Sequence, residues 1–348
     1  MVNLCPNCFA ERQDTDFCPF CHCRYNEFSD DNVSLHQMTV LNHRYIIGRT
    51  LGVGGFGVTY LSFDNKTGGK CAVKEFMPSE LAVRDRNGNV YPSSEENTKV
   101  FEHCKAGFIN EAKTLYTFRG DPTIVNVSDY FEENHTAYFT MEYLDGCNMR
   151  AQMQKCGGRI PVETATVMLV TVGSALMDVH KFNILHRDLS PENIFLTTNG
   201  SYKLIDFGAA RFFTSRANKS LSVLLKPGFA PPEQYSSRGN QGPWTDVYGL
   251  AATYYYLVSG TKPLDAMDRL SGKSMVKLCD LCPGVPKKTS DAVSRALELD
   301  YHVRYKDMLS FLNDVDLSVL SRANTDSANT VITDKSTVIK YERKKNIT

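Results

Sequence analysis

His186-Arg187-Asp188-Leu189-Ser190-Pro191-Glu192-Asn193, followed by Asp206-Phe207-Gly208, is the stretch on which the reading of this chain turns. Upstream of it, Gly52-Val53-Gly54-Gly55-Phe56-Gly57 matches the pattern G-x-G-x-x-G. The glycines alone are ambiguous, because dinucleotide-binding folds use the same spacing to open a helix. Here they lead instead into Val58-Thr59-Tyr60-Leu61, a β-branched and aromatic run that reads as a strand. The strand after it carries Ala72-Val73-Lys74, which brings a lysine within reach of phosphate groups bound under the glycines. Motifs of these kinds, in this order, belong to one signature set.

With the motifs assembled, the chain resembles protein kinases over about residues 44–315. The resemblance implies an α+β, two-lobed protein-kinase-like fold, with a β-rich N-lobe at 44–144 and an α-helical C-lobe at 145–315. It implies ATP- and Mg²⁺-dependent transfer of the γ-phosphate to Ser/Thr hydroxyls of protein substrates, with autophosphorylation. Asp188 would orient the substrate hydroxyl and take its proton, and Asn193 and Asp206 would hold the Mg²⁺ ions. An amide and a carboxylate are hard oxygen donors of the kind magnesium requires. Lys74 would pair with a glutamate on the first large helix. Glu111 in Phe108-Ile109-Asn110-Glu111-Ala112-Lys113-Thr114-Leu115 has the helical surroundings for this, with Glu95, Glu96 and Glu102 as rivals. The interval from Lys74 to Glu111 is longer than in many kinases and resembles the insert of a group of bacterial eukaryotic-like kinases.

By the same resemblance, Leu51, Gly52, Gly54, Gly55, Phe56 and Gly57 would cover the nucleotide. Thr59, Ala72 and Phe195 would form an apolar adenine slot. Met141-Glu142-Tyr143-Leu144 looks like the gatekeeper and hinge, where the backbone from Glu142 to Leu144 would meet adenine. Glu233 in Pro231-Pro232-Glu233 resembles the end of the activation segment, Asp246 a brace for the catalytic loop, and Arg304 the partner of Glu233. Thr214, Ser215, Ser220 and Ser222 are candidate phosphoacceptors. A phosphate there would add about −1.5 to −2 charges and could pair with Arg187.

Two departures from the family pattern fall together. Most Ser/Thr kinases place a lysine where this chain has Ser190, and a threonine where it has Lys226. One position loses a cation and the other gains one, so Lys226 is expected to reach Asp188 and the transferred phosphate, with Ser190 leaving room for it.

Composition narrows the remaining possibilities. With 42% hydrophobic and 22% charged residues, the chain of 348 residues reads as an ordinary globular protein. Lys+Arg and Asp+Glu both number 39, so bulk charge gives no reason to expect nucleic acid as a partner. The first residues, Met1-Val2-Asn3-Leu4-Cys5-Pro6, show neither the basic nor the apolar region of a signal peptide, and no uninterrupted apolar run suffices to span a bilayer. A cytoplasmic location follows as the expectation, given 11 cysteines in a chain read as lacking an export signal.

Five of those cysteines lie between Cys5 and Cys23. Cys5-x-x-Cys8 and Cys18-x-x-Cys21 can each supply two vertices of a tetrahedron, which suits Zn²⁺. His22 or Cys23 could replace Cys21 as the fourth ligand. A module over 1–25 is too small for a core of its own, so metal binding would provide most of its folding energy. Cys279-x-x-Cys282 has no partner pair nearby and reads as structural. Residues 26–43 read as a polar linker and 316–348 as a polar tail outside the core. Asn87-Gly88 reads as a tight hairpin turn with positive φ at both central residues. No internal repeat is evident. A pseudokinase, a small-molecule kinase and a binding scaffold led by the zinc module are the alternatives. The first usually shows damage at Lys74, Asp188 or Asp206, and all three stand here.

Overall fold

The structure, a computed structural model, describes residues 4–25, 33–207, 225–236 and 239–322. Its described residues form two compact units, one over 4–120 and 125–144, the other over 121–124 and 145–322.

The first unit is built on a six-stranded antiparallel sheet in the order β1-β2-β3-β4-β8-β7. The strands are β1 Val40–Leu41, β2 Tyr45–Gly54, β3 Gly57–Asp64, β4 Gly69–Phe76, β7 Val127–Glu133 and β8 Thr136–Glu142. One long helix, α1 Thr98–Thr117, packs on β7 and β8. Its buried residues Phe101, Cys104, Phe108, Ala112 and Leu115 recur at spacings of three and four, the period of one helix face. Phe76, Phe101, Phe108 and Phe139 meet there with ring centroids 4.9–5.6 Å apart.

Between β4 and α1 the chain inserts a small hairpin, β5 Ala82–Arg84 against β6 Val90–Pro92. Its turn differs from the expected tight one. Gly88 has φ +90°, but Asn87 is not among the positive-φ residues, and the loop spans 85–89. Asp85 organises it: its carboxylate accepts from the backbone N–H of Asn87 and Asn89, at 2.9 and 2.8 Å. A side chain that mimics a turn hydrogen bond removes the need for a second left-handed residue. The hairpin is bolted to the sheet through Arg84, which donates to Glu75 at 2.5 Å and to the Val33 carbonyl at 2.9 Å. Tyr60 and Tyr138 hydroxyls donate to the same buried Glu75 at 2.7 and 2.8 Å. Residues 33–41, expected to be linker, therefore lie folded on the sheet, with the Leu35 N–H donating to Tyr60 at 2.9 Å.

The second unit is helical. α3 Val162–His180 and α4 Pro243–Ser259 pack on each other at its centre, joined by α2 Met149–Lys155, α5 Ala266–Leu270, α6 Leu278–Leu281, α7 Lys287–Ala296 and α8 Met308–Asp314. Pro161 precedes α3 and Pro243 opens α4, where a missing N–H costs nothing. α3 is long and apolar enough to cross a membrane by length and composition, but it packs against α4 and α8, and two-thirds of its most apolar window is buried. A three-stranded antiparallel sheet, β11-β10-β9, adjoins these helices: β9 Gly146–Asn148, β10 Ile194–Thr197 and β11 Tyr202–Leu204.

Candidate active site and metal centre

The stretch from His186 to Asn193 is the loop between α3 and β10. Buried Asp246, in the first turn of α4, braces it from behind. Its Oδ2 accepts from the His186 N–H at 2.9 Å and its Oδ1 from the Arg187 N–H at 2.7 Å. His180, at the end of α3, lies 2.8 Å from Oδ2. Burial pushes the Asp246 carboxyl up, but the His180 ring and the backbone donors outweigh it and hold it below the usual carboxylate range. With these bonds in place Arg187 is held at φ +67°, a left-handed bend immediately before Asp188. His186 is buried against Phe207, ring centroids 4.5 Å apart, and burial lowers its pKa.

Asp188 is held from the other side by Asn193, whose amide nitrogen donates to the Asp188 carbonyl at 2.8 Å and to Oδ2 at 2.6 Å. That use of the nitrogen orients the amide oxygen of Asn193 as its remaining ligand atom. The Ile205 N–H donates to the Asn193 carbonyl at 3.0 Å, so Ile205 faces Asn193 and Asp206, at φ +57°, is the next residue along. An amide oxygen and a carboxylate thus fall on adjacent backbone, a donor set that fits Mg²⁺.

In the first unit Lys74 on β4 lies 3.7 Å from buried Glu111 on α1. The rivals are elsewhere: Glu95 and Glu96 sit on a 3₁₀ turn, and Glu102 pairs with Lys105 at 2.9 Å. Thr59 pairs with Lys74 across β3 and β4, and Ala72 with Met141 across β4 and β8, so Thr59, Ala72, Lys74 and Met141 share one sheet face. The glycines form the β2–β3 hairpin, closed at Gly54 opposite Gly57. A Cβ at Gly52 or Gly55 would meet nothing, which leaves open space over the backbone there. At Gly57 it would stand 2.0 Å from the Glu75 carbonyl. The loop is exposed at Leu51, Gly52, Gly54 and Gly55 and half-buried at Phe56. In the stretch expected to meet adenine, the Glu142 N–H donates to the Asn126 carbonyl at 3.0 Å and is therefore engaged within the sheet. Phe195 stands on β10 opposite Asn148, and Leu144 ends the first unit.

Buried Glu233 and Arg304 form a salt bridge at 2.8 Å, and the Thr245 hydroxyl donates to the same glutamate at 3.0 Å. Thr214, Ser215, Ser220 and Ser222, and Gly208, lie outside the described residues.

Residues 45–315 match the model of the protein kinase domain family. The chain belongs to that family. It is 28% identical to serine/threonine-protein kinase B of Synechocystis over 80% of this chain and 47% of the relative. With serine/threonine-protein kinase F of Synechocystis it shares 30% identity over 66% of this chain and 46% of the relative. The chain thus spans about half the length of these curated relatives. Among solved structures, the PpkA-294 apo form superposes with a TM-score of 0.74 at 30% identity, covering 82% of this chain and all of that one. The Mycobacterium tuberculosis PknI kinase domain shares the fold at 23% identity and a TM-score of 0.61, over 81% of this chain and 98% of that one.

Ahead of the kinase domain, Cys5, Cys8, Cys18 and Cys21 gather with all four sulfurs within 4.8 Å of one another. Thiolates around tetrahedral zinc at about 2.3 Å lie about 3.8 Å apart. The Cys5–Cys21 and Cys8–Cys18 separations of 3.7 and 3.6 Å match this, so the donor set fits zinc. His22 is exposed, and Cys23 sits as a fifth sulfur, 3.5 Å from Cys5 and 3.3 Å from Cys21. The two CxxC turns repeat one hydrogen-bond pattern that the sequence does not advertise. Cys5 donates to Ala10 and receives from Phe9, as Cys18 donates to Cys23 and receives from His22. Phe9 and His22 occupy equivalent left-handed positions at φ +59° and +57°. Cys279 and Cys282 join no metal-binding group among the described residues; Cys282 donates to the Val258 carbonyl at 3.4 Å.

Among the features sequence reasoning missed are the His180–Asp246 bond, the Glu75 network and the docking of Phe9. Phe9 packs in one cluster with Ile46 and Leu61, which Phe63 and Tyr143 adjoin, and over Gly48, where its ring stands 2.7 Å from the place a Cβ would take. Each depends on residues far apart in the chain, and no local spacing announces it.

Proposed function

We propose that this chain is an ATP- and Mg²⁺-dependent protein kinase that phosphorylates Ser/Thr hydroxyls of protein substrates, itself among them. The observation that carries the reading is the fixed pose of Asp188 between the Asp246 brace and the Asn193 amide. A base so held needs no reorganisation to receive a hydroxyl proton. Lys74, its ammonium oriented by Glu111, grips the α/β-phosphates. The open backbone at Gly52 and Gly55 gives those phosphates room. Magnesium, when bound through Asn193 and Asp206, neutralises phosphate charge and aligns the transferred group. The bend at Arg187 and the packing of His186 on Phe207 keep that ligand pair and the base on one rigid frame. The zinc module contributes structure and takes no part in phosphoryl transfer.

The test is label transfer from γ-labelled ATP to a generic basic protein, followed by phosphoamino-acid analysis. Chelation of the magnesium should abolish transfer, and its return should restore it, with label on serine and threonine. Undiminished transfer without a divalent ion, or label confined to tyrosine, contradicts the proposal.

A further inference from the structure

We propose that Lys226 supplies the ammonium that stabilises the transferred phosphate, acting from the segment before Glu233, with Ser190 as its positioning hydroxyl. This rests on the kinase reading above. The Lys226 Nζ donates to the Ser190 Oγ at 2.6 Å, lies 3.4 Å from Asp188 Oδ2 and is 4.0 Å from Glu192 Oε2. A lysine serving only as a surface charge would extend into water, where its ammonium is best hydrated. This one turns its head toward the base, and its side chain is only 26% exposed. An ammonium has three donors. Ser190 and Asp188 engage it closely, Glu192 stands farther off at 4.0 Å, and the third donor is the one assigned to the transferred phosphate.

The turn that carries Lys226 is rigid, which is what preorganisation requires. The Lys226 carbonyl accepts from the N–H of Phe229 at 3.0 Å and of Ala230 at 3.2 Å. Gly228 sits at φ +87°, and a Cβ there would come within 2.6 Å of the Pro263 carbonyl. Asp265 ties the turn down, accepting from the Gly228 N–H at 3.3 Å and from the Tyr235 hydroxyl at 2.5 Å. The same aspartate caps α5 through the Met267 N–H.

The chemistry explains the position. As the substrate oxygen bonds to the γ-phosphorus, its proton passes to Asp188. The bond from that phosphorus to the β,γ-bridging oxygen breaks, and its electron pair leaves on ADP. Negative charge on the group in flight needs a cation beside the base. Lys226 stands there, and its ion pair keeps Asp188 aimed until the proton arrives. Ser190 is an active partner here: its hydroxyl accepts from the ammonium, beyond merely leaving room. Hydroxyl and ammonium have exchanged chain positions, and the trio with the carboxylate is preserved.

The experiment measures turnover of the full chain on a generic basic protein, beside wild type and Asp188→Asn. Lys226→Ala should lower kcat at least tenfold, with the ATP KM changed less than threefold. Lys226→Met, which keeps the apolar stem, should match it, with melting temperatures confirming that both fold. The exchanged variant Ser190→Lys/Lys226→Thr should recover at least tenfold over Lys226→Ala. A Lys226→Met enzyme at the wild-type rate overturns the assignment while the kinase reading stands, because wild type and Asp188→Asn still differ. An exchanged variant no better than Lys226→Ala also overturns it. Absence of transfer by wild type removes the kinase reading and this assignment with it.

Discussion

Among single residues, Asp246 shows how a side chain remote from the transferred phosphate governs the reacting geometry. Its carboxylate takes the N–H groups of His186 and Arg187 together and so supports the bend at Arg187. Its native pKa is below the ordinary aspartate value, so the folded chain binds fewer protons than the unfolded one in that window. The stability it contributes is full above about pH 4, the ordinary aspartate range, and is lost as pH falls through the native value. Asp246→Asn should therefore cost about 2 kcal/mol near neutral pH, the scale of a lost hydrogen bond to a charged group. Thermal melts across the acid range would show the gap to wild type closing below about pH 4. A gap that is the same in acid as at neutrality would mean that charge is not what Asp246 contributes.

Individual elements show why the cysteine module is more than an appendage. A bulky residue at positive φ is strained by about 1–2 kcal/mol, and a glycine would sit there at lower cost. Phe9 stays because its ring is buried on β2 and β3, in one cluster with Ile46 and Leu61 that Tyr143 adjoins. Leu61 pairs with Ala72 across β3 and β4, so Phe9 packs on the sheet face that carries Thr59, Ala72 and Lys74. Phe9→Ala should cost about 3 kcal/mol, as the loss of a buried ring usually does. It should also raise the ATP KM more than it lowers kcat. Removing the metal with a chelator should reproduce both effects in wild type and add little in Phe9→Ala. Melting curves and ATP titrations of the two proteins decide it. Full additivity of chelation and mutation would separate the metal from the docking.

Across the whole molecule, what was legible in the sequence is what chemistry confines to short spacings. Lys74, Asp188, Asn193 and Asp206 stand in motifs, and the period of α1 pointed to Glu111, which lies by Lys74. The paired CxxC turns announced a tetrahedral sulfur set. Non-local partners were not legible: Arg84 on Glu75 and Val33, His180 on Asp246, and Phe9 on Gly48. Nor was the five-residue Asp85 loop, whose side chain replaces a backbone conformation. Lys226 lies between these cases, since its position was suggestive but its hydrogen bond to Ser190 needed coordinates. Single-turnover transfer of γ-labelled phosphate tests the proposed role of Asp188 as the base of a phosphoryl-transfer site. With ATP binding checked separately, Asp188→Asn should bind nucleotide like wild type and transfer at least about a hundredfold more slowly. Transfer by Asp188→Asn at the wild-type rate would remove Asp188 from that role.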